Sequence, residues 1–282
     1  QIGDGLGNLR GDAGTFILDV IVQHAGFLRG FEDRRQIELA GAEQHVEDAG
    51  GEAGMVPLVA PGTLRVVTFN IEYAIAIDSA IGLLKHDPAL RGADVLLLQE
   101  MDESGTRRIA EGLGMQYVYY PATVHPVVKH DFGNAILSRW PIVEDDKIIL
   151  PHNGWWRKTE RAAVAATLLV GSQRIRVYDV HFAMVTEQTP GHRQAQAEAV
   201  IADSRLGWDK VIVGGDLNDP ALGQVFADSG FTWPTRSEMP TRNEWRFDHI
   251  LLKGLDLESA GSTGVVTDVR GASDHKAVWA VV

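Results

Sequence analysis

Val211-Ile212-Val213-Gly214-Gly215-Asp216-Leu217-Asn218 is the stretch on which the fold turns. Three β-branched residues in succession read as a buried strand. Gly214-Gly215 closes it, and two polar residues, Asp216 and Asn218, stand just past its end. Taken alone this is an ordinary turn, since Gly and Asp favour turns anywhere. The pattern gains meaning because it repeats.

Moving outward, short runs rich in Val, Ile and Leu recur from Leu64 onward. They are 65–69, 94–98, 135–137, 163–170, 175–180, 249–252 and 277–282. Their length and β-branching predict strands. Helix-like stretches are fewer: 75–90, closing on Pro88-Ala89-Leu90-Arg91-Gly92; 105–113, stopped by Gly114; and 192–206, entered through Thr189-Pro190. Asn70, Glu100 and His181 each follow a strand, as Asp216 and Asn218 do. Asp248 and Asp274-His275 instead precede one. In an all-parallel sheet the two groups would lie at opposite edges. Antiparallel pairing brings them to one edge, so the pattern predicts mixed or antiparallel sheets.

Gathered there, the residues have a chemical logic. Glu100, Asp216, Asp248 and Asp274 are four carboxylates. At separations of ~5 Å and an effective dielectric near 20, each pair repels by about 3 kcal/mol. Such a cluster requires protonation or a cation. Oxygen ligands without thiolates select a hard divalent ion, Mg²⁺ first, then Mn²⁺ or Ca²⁺. Asn70 and Asn218 add amides that can ligate or orient. His181 and His275 can donate to phosphate oxygens or move a proton near neutral pH.

Composition bounds the rest. The chain has 282 residues, 26 Lys+Arg, 38 Asp+Glu and no Cys. That composition is globular and leaves no disulfide framework, zinc–thiolate site or cysteine nucleophile. A net charge of −12 argues against a non-specific nucleic-acid coat protein. Ten acids and four bases lie in residues 1–63, so that segment and residues 64–282 each carry −6. Residues 1–60 form an acidic, Gly-rich extension holding 11 of the 30 glycines. A natural extension with a helix around 32–48, an upstream read-through ahead of Met55, and a regulatory arm are the three readings of it. Its apolar run, 16–22, is interrupted by Asp19 and is too short to span a membrane. No signal-peptide pattern flanks it. These features favour a cytoplasmic enzyme, with export still open.

In order, the motifs are Thr68-Phe69-Asn70-Ile71, Leu97-Leu98-Gln99-Glu100, Gly133-Asn134-Ala135-Ile136-Leu137-Ser138-Arg139 and Val180-His181-Phe182. Gly214-Gly215-Asp216-Leu217-Asn218, Phe247-Asp248-His249-Ile250 and Ser273-Asp274-His275 follow. This set resembles the endonuclease/exonuclease/phosphatase superfamily, with its deoxyribonuclease I-like fold, over residues 64–282. The resemblance implies an α/β four-layer sandwich: two packed, mostly antiparallel sheets flanked by helices. It implies metal-dependent hydrolysis of a phosphoester by in-line attack of water. Glu100 is then the principal metal ligand, with Asn70 beside it and Asp274 also in the metal set. Asp216 and Asn218 orient the water or the phosphate, Asp216 being a candidate base. Asp274 fixes and polarises His275, and His275 and His181 contact the phosphate. Asp248 supports the phosphate-side histidine or a second metal. Arg161, just before a strand, is the phosphate-binding candidate. Gly133 permits a close approach, and Asn134 ties a loop near the site. Arg193 and Gln196 pack or cap.

The substrate is less legible. No cluster of basic residues marks a polynucleotide track. Two segments, 152–158 and 242–246, join Trp to Arg, a pairing that stacks on bases or lipid headgroups or simply packs on the sandwich. A phosphodiester is favoured: a small molecule, a lipid headgroup or a short nucleic acid. A phosphomonoesterase, a non-catalytic member and a Ca²⁺-binding sandwich domain are the rivals. Oligomeric state leaves no trace in the sequence.

Overall fold

A computed structural model describes residues 46–48 and 62–282, apart from 126–127 and 156–157. Most of the head, including residues 32–45 of the expected helix, lies outside the described residues. The elements in chain order are β1 (Val46–Asp48), β2 (Arg65–Asn70), α1 (Ile77–His86), β3 (Val95–Met101), α2 (Glu103–Leu113), β4 (Gln116–Val124), β5 (Asp131–Ser138) and β6 (Ile142–Ile149). Then come β7 (Ala162–Val170), β8 (Gln173–His181), α3 (Pro190–Ser204), β9 (Val211–Asp216), α4 (Ala221–Asp228), β10 (Asp248–Lys253), β11 (Thr263–Val265) and β12 (Val278–Val281).

The first sheet runs β4-β5-β3-β2-β12-β11, with the short β1 paired at its β4 edge. The second runs β10-β9-β8-β7-β6. Each is antiparallel except for one parallel pair, β2·β3 and β8·β9. This is the deoxyribonuclease I-like α/β sandwich expected from the motif order. Strand alternation explains its four layers. In β2 and β3, Val67, Phe69, Leu96 and Leu98 pack outward with Leu83, Leu84 and Ile109 of α1 and α2. Their neighbours Val66, Val95 and Leu97 face inward, against Val164, Leu168, Val177 and Ile212 of the second sheet. On the far side Val180 and Val213 meet Val200 of α3 and Phe226 of α4. Central strands are therefore buried on both faces, which is why they read as unbroken apolar runs.

Local signals set the ends of the helices. Asp102 caps α2 by accepting from the Gly105 N–H, and Gly114 closes it at φ 64°. Thr189 caps α3, with Pro190 in its first turn. The first helix is shorter than expected, ending at His86. Pro88 forces Asp87 out of the helical region, and its ψ is 129°.

Candidate active site

The register of the second sheet brings three predicted residues into one row. His181 ends β8 opposite Asp216 of β9, and Asp216 lies opposite Asp248 at the start of β10. The first sheet faces them with Asn70 at the end of β2 and with Glu100. Glu100 sits in a β-bulge of β3 at φ 59°, and a bulge re-aims a side chain. The loop before β12 brings Asp274 and His275. Ser273 Oγ locks that loop to β2 by donating to Asn70 O (2.7 Å) and accepting from the His275 N–H (3.0 Å).

Asp216 is the focus. Its Oδ2 accepts from Asn70 Nδ2 (3.2 Å) and lies 3.6 Å from His181 Nε2 and 3.7 Å from His275 Nε2. Its Oδ1 accepts from the Asn218 N–H (2.8 Å). Asn218 Nδ2 in turn donates to Phe182 O (3.0 Å), holding the segment after His181. Asn70 Nδ2 also donates to Glu100 Oε1 (3.1 Å), and Glu100 Oε2 accepts from the Tyr73 N–H (3.1 Å). Asp216, Asn218, Asp248, His181 and His275 are all buried.

One expected partner differs. His275 Nδ1 donates to Asp248 Oδ2 (2.9 Å), whereas Asp274 lies 4.0 Å from the other ring nitrogen. Asp274 Oδ2 instead pairs with Arg242 (2.6 Å). Asp248, not Asp274, therefore orients the imidazole. The resemblance implied Asp274 as the residue that fixes His275 and Asp248 as support for a phosphate-side histidine, and the second of these fits the observed pair. The backbone turn at 273–275 sends the two neighbouring side chains apart, and the β9·β10 register supplies the partner from 27 residues away. Asn134 also differs. Its amide reaches the backbone oxygens of Ala162 and Asp179 (both 3.3 Å), tying two strands of the other sheet rather than a loop. At Gly133 a Cβ would collide with Tyr120 O, so the expected close approach is present. Arg193 binds Asp219 and Gln188 O, and Gln196 binds the Ala183 N–H and Pro151 O. Both brace loops, as expected.

The electrostatics separate the two histidines. Burial, reinforced by Arg161 and His275, holds His181 well below the usual imidazole range. Burial would lower His275 too, but the Asp248 charge and hydrogen bond, with Asp216 and Asp274, lift it to about 9. Burial and the charges of Asp248 and Glu100 raise Asp216 to about 7. At neutral pH the site thus holds one imidazolium, one neutral imidazole and a carboxyl close to its midpoint.

Several buried atoms here make no hydrogen bond: Arg161 Nε and Nη1, His181 Nδ1, His275 Nε2 and Asp248 Oδ1. Buried polar atoms are normally satisfied. The Arg161 and His275 atoms are donors suited to an anion. The Asp248 oxygen is a free acceptor, and Asp216, Asp248 and His275 each offer one ligand atom within 4.8 Å of the others. Crowded carboxylates of this kind fit a hard divalent cation. A divalent ion held there at about 100-fold above its Kd would stabilise by about 2.7 kcal/mol. For a domain of this size that is roughly a 5–10 °C rise in melting temperature. The rise should be largely lost in Glu100→Gln, because Glu100 is the ligand that the resemblance implies and its carboxylate shares the Asn70 amide with Asp216. Superimposable melting curves with and without Mg²⁺ or Mn²⁺ would count against a metal site.

An aromatic cluster, hidden in the sequence, extends from the buried His181 through the buried Phe132 to the half-buried His125 and Tyr73. Phe132 lies 5.6 Å from the His181 ring, His125 5.1 Å from Phe132, and Tyr73 4.8 Å from His125, all between ring centroids. Arg161 lies over Phe132, 5.7 Å from its centroid, and its Nη2 bonds Glu187 (2.9 Å). Tyr73 occupies a left-handed turn, Glu72-Tyr73-Ala74, with φ of 43°, 56° and 56°. No periodicity marks such a turn. Its place three residues after Asn70 was the only available signal. Of the Trp–Arg segments, Trp155 and Trp245 are both largely exposed, and Trp245 stacks on Phe247. Residues 156–157 lie outside the described residues.

Comparisons with known proteins agree with this fold. The model of the Endonuclease/Exonuclease/phosphatase family matches residues 67–275. Among solved structures, an endonuclease/exonuclease/phosphatase family protein from Leptotrichia buccalis aligns with a TM-score of 0.61 at 16% identity, covering 77% of this chain and 98% of that one. D. rerio TDP2 complexed with a single-strand DNA product aligns at 0.62 and 16%, covering 78% and 99%. The human nocturnin catalytic domain with bound sulfate aligns at 0.59 and 21%, covering 79% and 95%. No curated protein matches the chain. No helix among the described residues is long and apolar enough to cross a membrane.

Proposed function

Because the chain belongs to the endonuclease/exonuclease/phosphatase family, we propose that it is a divalent-metal-dependent phosphodiesterase, with Mg²⁺ the favoured ion and Mn²⁺ or Ca²⁺ as substitutes. The observation that carries this reading is the set of buried donors of Arg161 and His275 that make no hydrogen bond, beside Asp216 and Asp248. Cationic donors aimed at a carboxylate-lined site suit a phosphate that bridges them to a cation.

Glu100 and Asn70 are proposed to hold the ion, with Asp274 at its margin. The chemistry a bound divalent ion supplies is Lewis-acid polarisation of a non-bridging oxygen and relief of charge on the leaving oxygen. The remaining work falls to the chain. Arg161 and the His275 imidazolium bind equatorial phosphate oxygens, and neutral His181 donates a further hydrogen bond. Asp248 keeps His275 charged and oriented. Asp216, with a pKa raised toward neutrality, accepts the proton of the attacking water, and the Asn218 N–H fixes its free rotamer. Positioning and electrostatics carry most of phosphoryl transfer.

The rings of Phe132, His125 and Tyr73 support a diester over a monoester. They give an organic substituent on the phosphate a surface to rest on. The core's net −6 and the lack of a basic cluster favour a small or single-stranded substrate over a long duplex. With Mg²⁺, kcat/KM for bis(4-nitrophenyl) phosphate should exceed that for 4-nitrophenyl phosphate by about tenfold or more. EDTA should abolish both activities, and Glu100→Ala and His275→Ala should each remove most of the diesterase activity. A faster monoester would make the protein a phosphomonoesterase. Activity that persists in EDTA would end the metal mechanism.

A further inference from the structure

One layer beneath the site, the apolar interface between the sheets contains a polar seam. Gln99 Nε2 donates to Asp179 Oδ1 (2.5 Å) and to Thr68 Oγ1 (3.1 Å). Asp179 Oδ2 accepts from the Ala135 N–H (3.1 Å). Asn134 Nδ2 reaches the backbone oxygens of Asp179 and Ala162. Thr68, Gln99 and Asp179 have no solvent exposure, and Asn134 has 3%.

Four members of the seam adjoin a site residue. Thr68 precedes Asn70 by two positions and Asp179 precedes His181 by two, so each pair shares a strand face. Gln99 precedes Glu100, and Ala162 follows Arg161. The Gln99 side chain is held inward, and the bulge that follows turns Glu100 toward the site. The seam thus joins the sheet carrying Asn70 and Glu100 to the sheet carrying His181 and Asp216.

We propose that Asp179 and Gln99 are positioning residues: their contact across the two sheets sets the distance between the half of the site that carries Asn70 and Glu100 and the half that carries His181 and Asp216. Stability alone gives little reason for a carboxyl at this place. A buried polar pair can often be replaced by apolar residues of similar volume without loss of stability. Burial pushes the Asp179 carboxyl well above its usual range, while Gln99 and the Ala135 N–H each donate to one of its oxygens and fix its direction. What the pair supplies, and leucine cannot, is a fixed register.

The kinetic part of the test rests on the diesterase reading, so it is joined to one that does not. Asp179→Leu and Gln99→Met are compared with wild type and with Leu168→Ala, a truncation in the same inter-sheet core. For each, kcat and KM for bis(4-nitrophenyl) phosphate are measured per folded molecule, together with the melting temperature and the Mn²⁺ affinity by calorimetry. Displacing reacting groups by about 1 Å costs about a hundredfold in rate. Both seam variants should therefore lose kcat on that scale, with KM within about threefold, and bind Mn²⁺ about tenfold more weakly. Leu168→Ala should lose melting temperature and little kcat. If seam variants keep wild-type kcat and Mn²⁺ affinity, or lose them only in proportion to unfolding, the inference is overturned. A wild type without diesterase activity whose Mn²⁺ affinity still falls in both seam variants would overturn the proposed function and support the seam.

Discussion

Asp216→Asn is expected to lower kcat about a thousandfold while leaving the fold intact. Asparagine keeps the shape and the Oδ1 acceptor that receives the Asn218 N–H. It removes the charge on which Asn70, His181 and His275 converge, and with it the base. Folding stability should be unchanged or slightly higher, because one of the two facing carboxylates is gone and Asp248 still pairs with His275. The pH profile sharpens the test. In wild type the rate rises as Asp216 loses its proton, with an acid limb at or below about pH 7, since a bound cation favours the carboxylate further. It falls again as His275 loses its proton near pH 9. These limbs belong to the coupled Asp216–Asp248–His275 group as a whole. Asp216→Asn should lose the acid limb and keep the alkaline one, moved to lower pH because the Asp216 charge no longer lifts His275. A variant with kcat within about tenfold of wild type, or with both limbs intact, would rule out Asp216 as the base.

Gly215→Ala should cost about 4 kcal/mol of folding stability, from backbone strain and overpacking together. Gly215 has φ +147°, a conformation that L side chains rarely adopt, and a Cβ there would collide with Val180 O. Relief would require β8 and β9 to separate at the step that sets His181 opposite Asp216. Against the roughly 5–15 kcal/mol that holds a typical domain, this is a large fraction. Urea unfolding should show it as a fall in midpoint of about 1–2 M, and activity should fall in the fraction that remains folded. A midpoint unchanged to within about 0.3 M would mean that the two strands yield more easily than their pairing suggests.

Much of the fold was legible because the central strands are buried on both faces. Where that ceases, the sequence signal fades. The edge strand β6 contains Glu144-Asp145-Asp146-Lys147 and reads as a loop, yet its charges suit an unpaired edge. Strand β4 carries Pro121, placed where its register with β5 slips. Helix α4 is eight residues long and contains a glycine, too little for a periodic pattern. At the site, residue types at strand ends were readable one by one, and antiparallel pairing followed from asking that they meet. Which carboxylate serves which histidine was not readable. That depends on a register between strands far apart in sequence and on a turn that parts Asp274 from His275. The aromatic cluster was hidden for the same reason: Tyr73, His125 and Phe132 meet only after β4 and β5 fold beside β3.

Five non-glycine residues around the site share a left-handed backbone: Glu72, Tyr73, Ala74, Glu100 and Asn218. Each such residue other than Asn218 costs of order 1 kcal/mol. Laboratory selection for heat tolerance alone would find easy gains here, through glycine or asparagine at 72–74 and 100. Glycine at 100 would relax the bulge and delete the carboxylate in one step. Thermostable descendants of this chain should therefore be screened for turnover from the first round, because its softest route to robustness runs through its active centre.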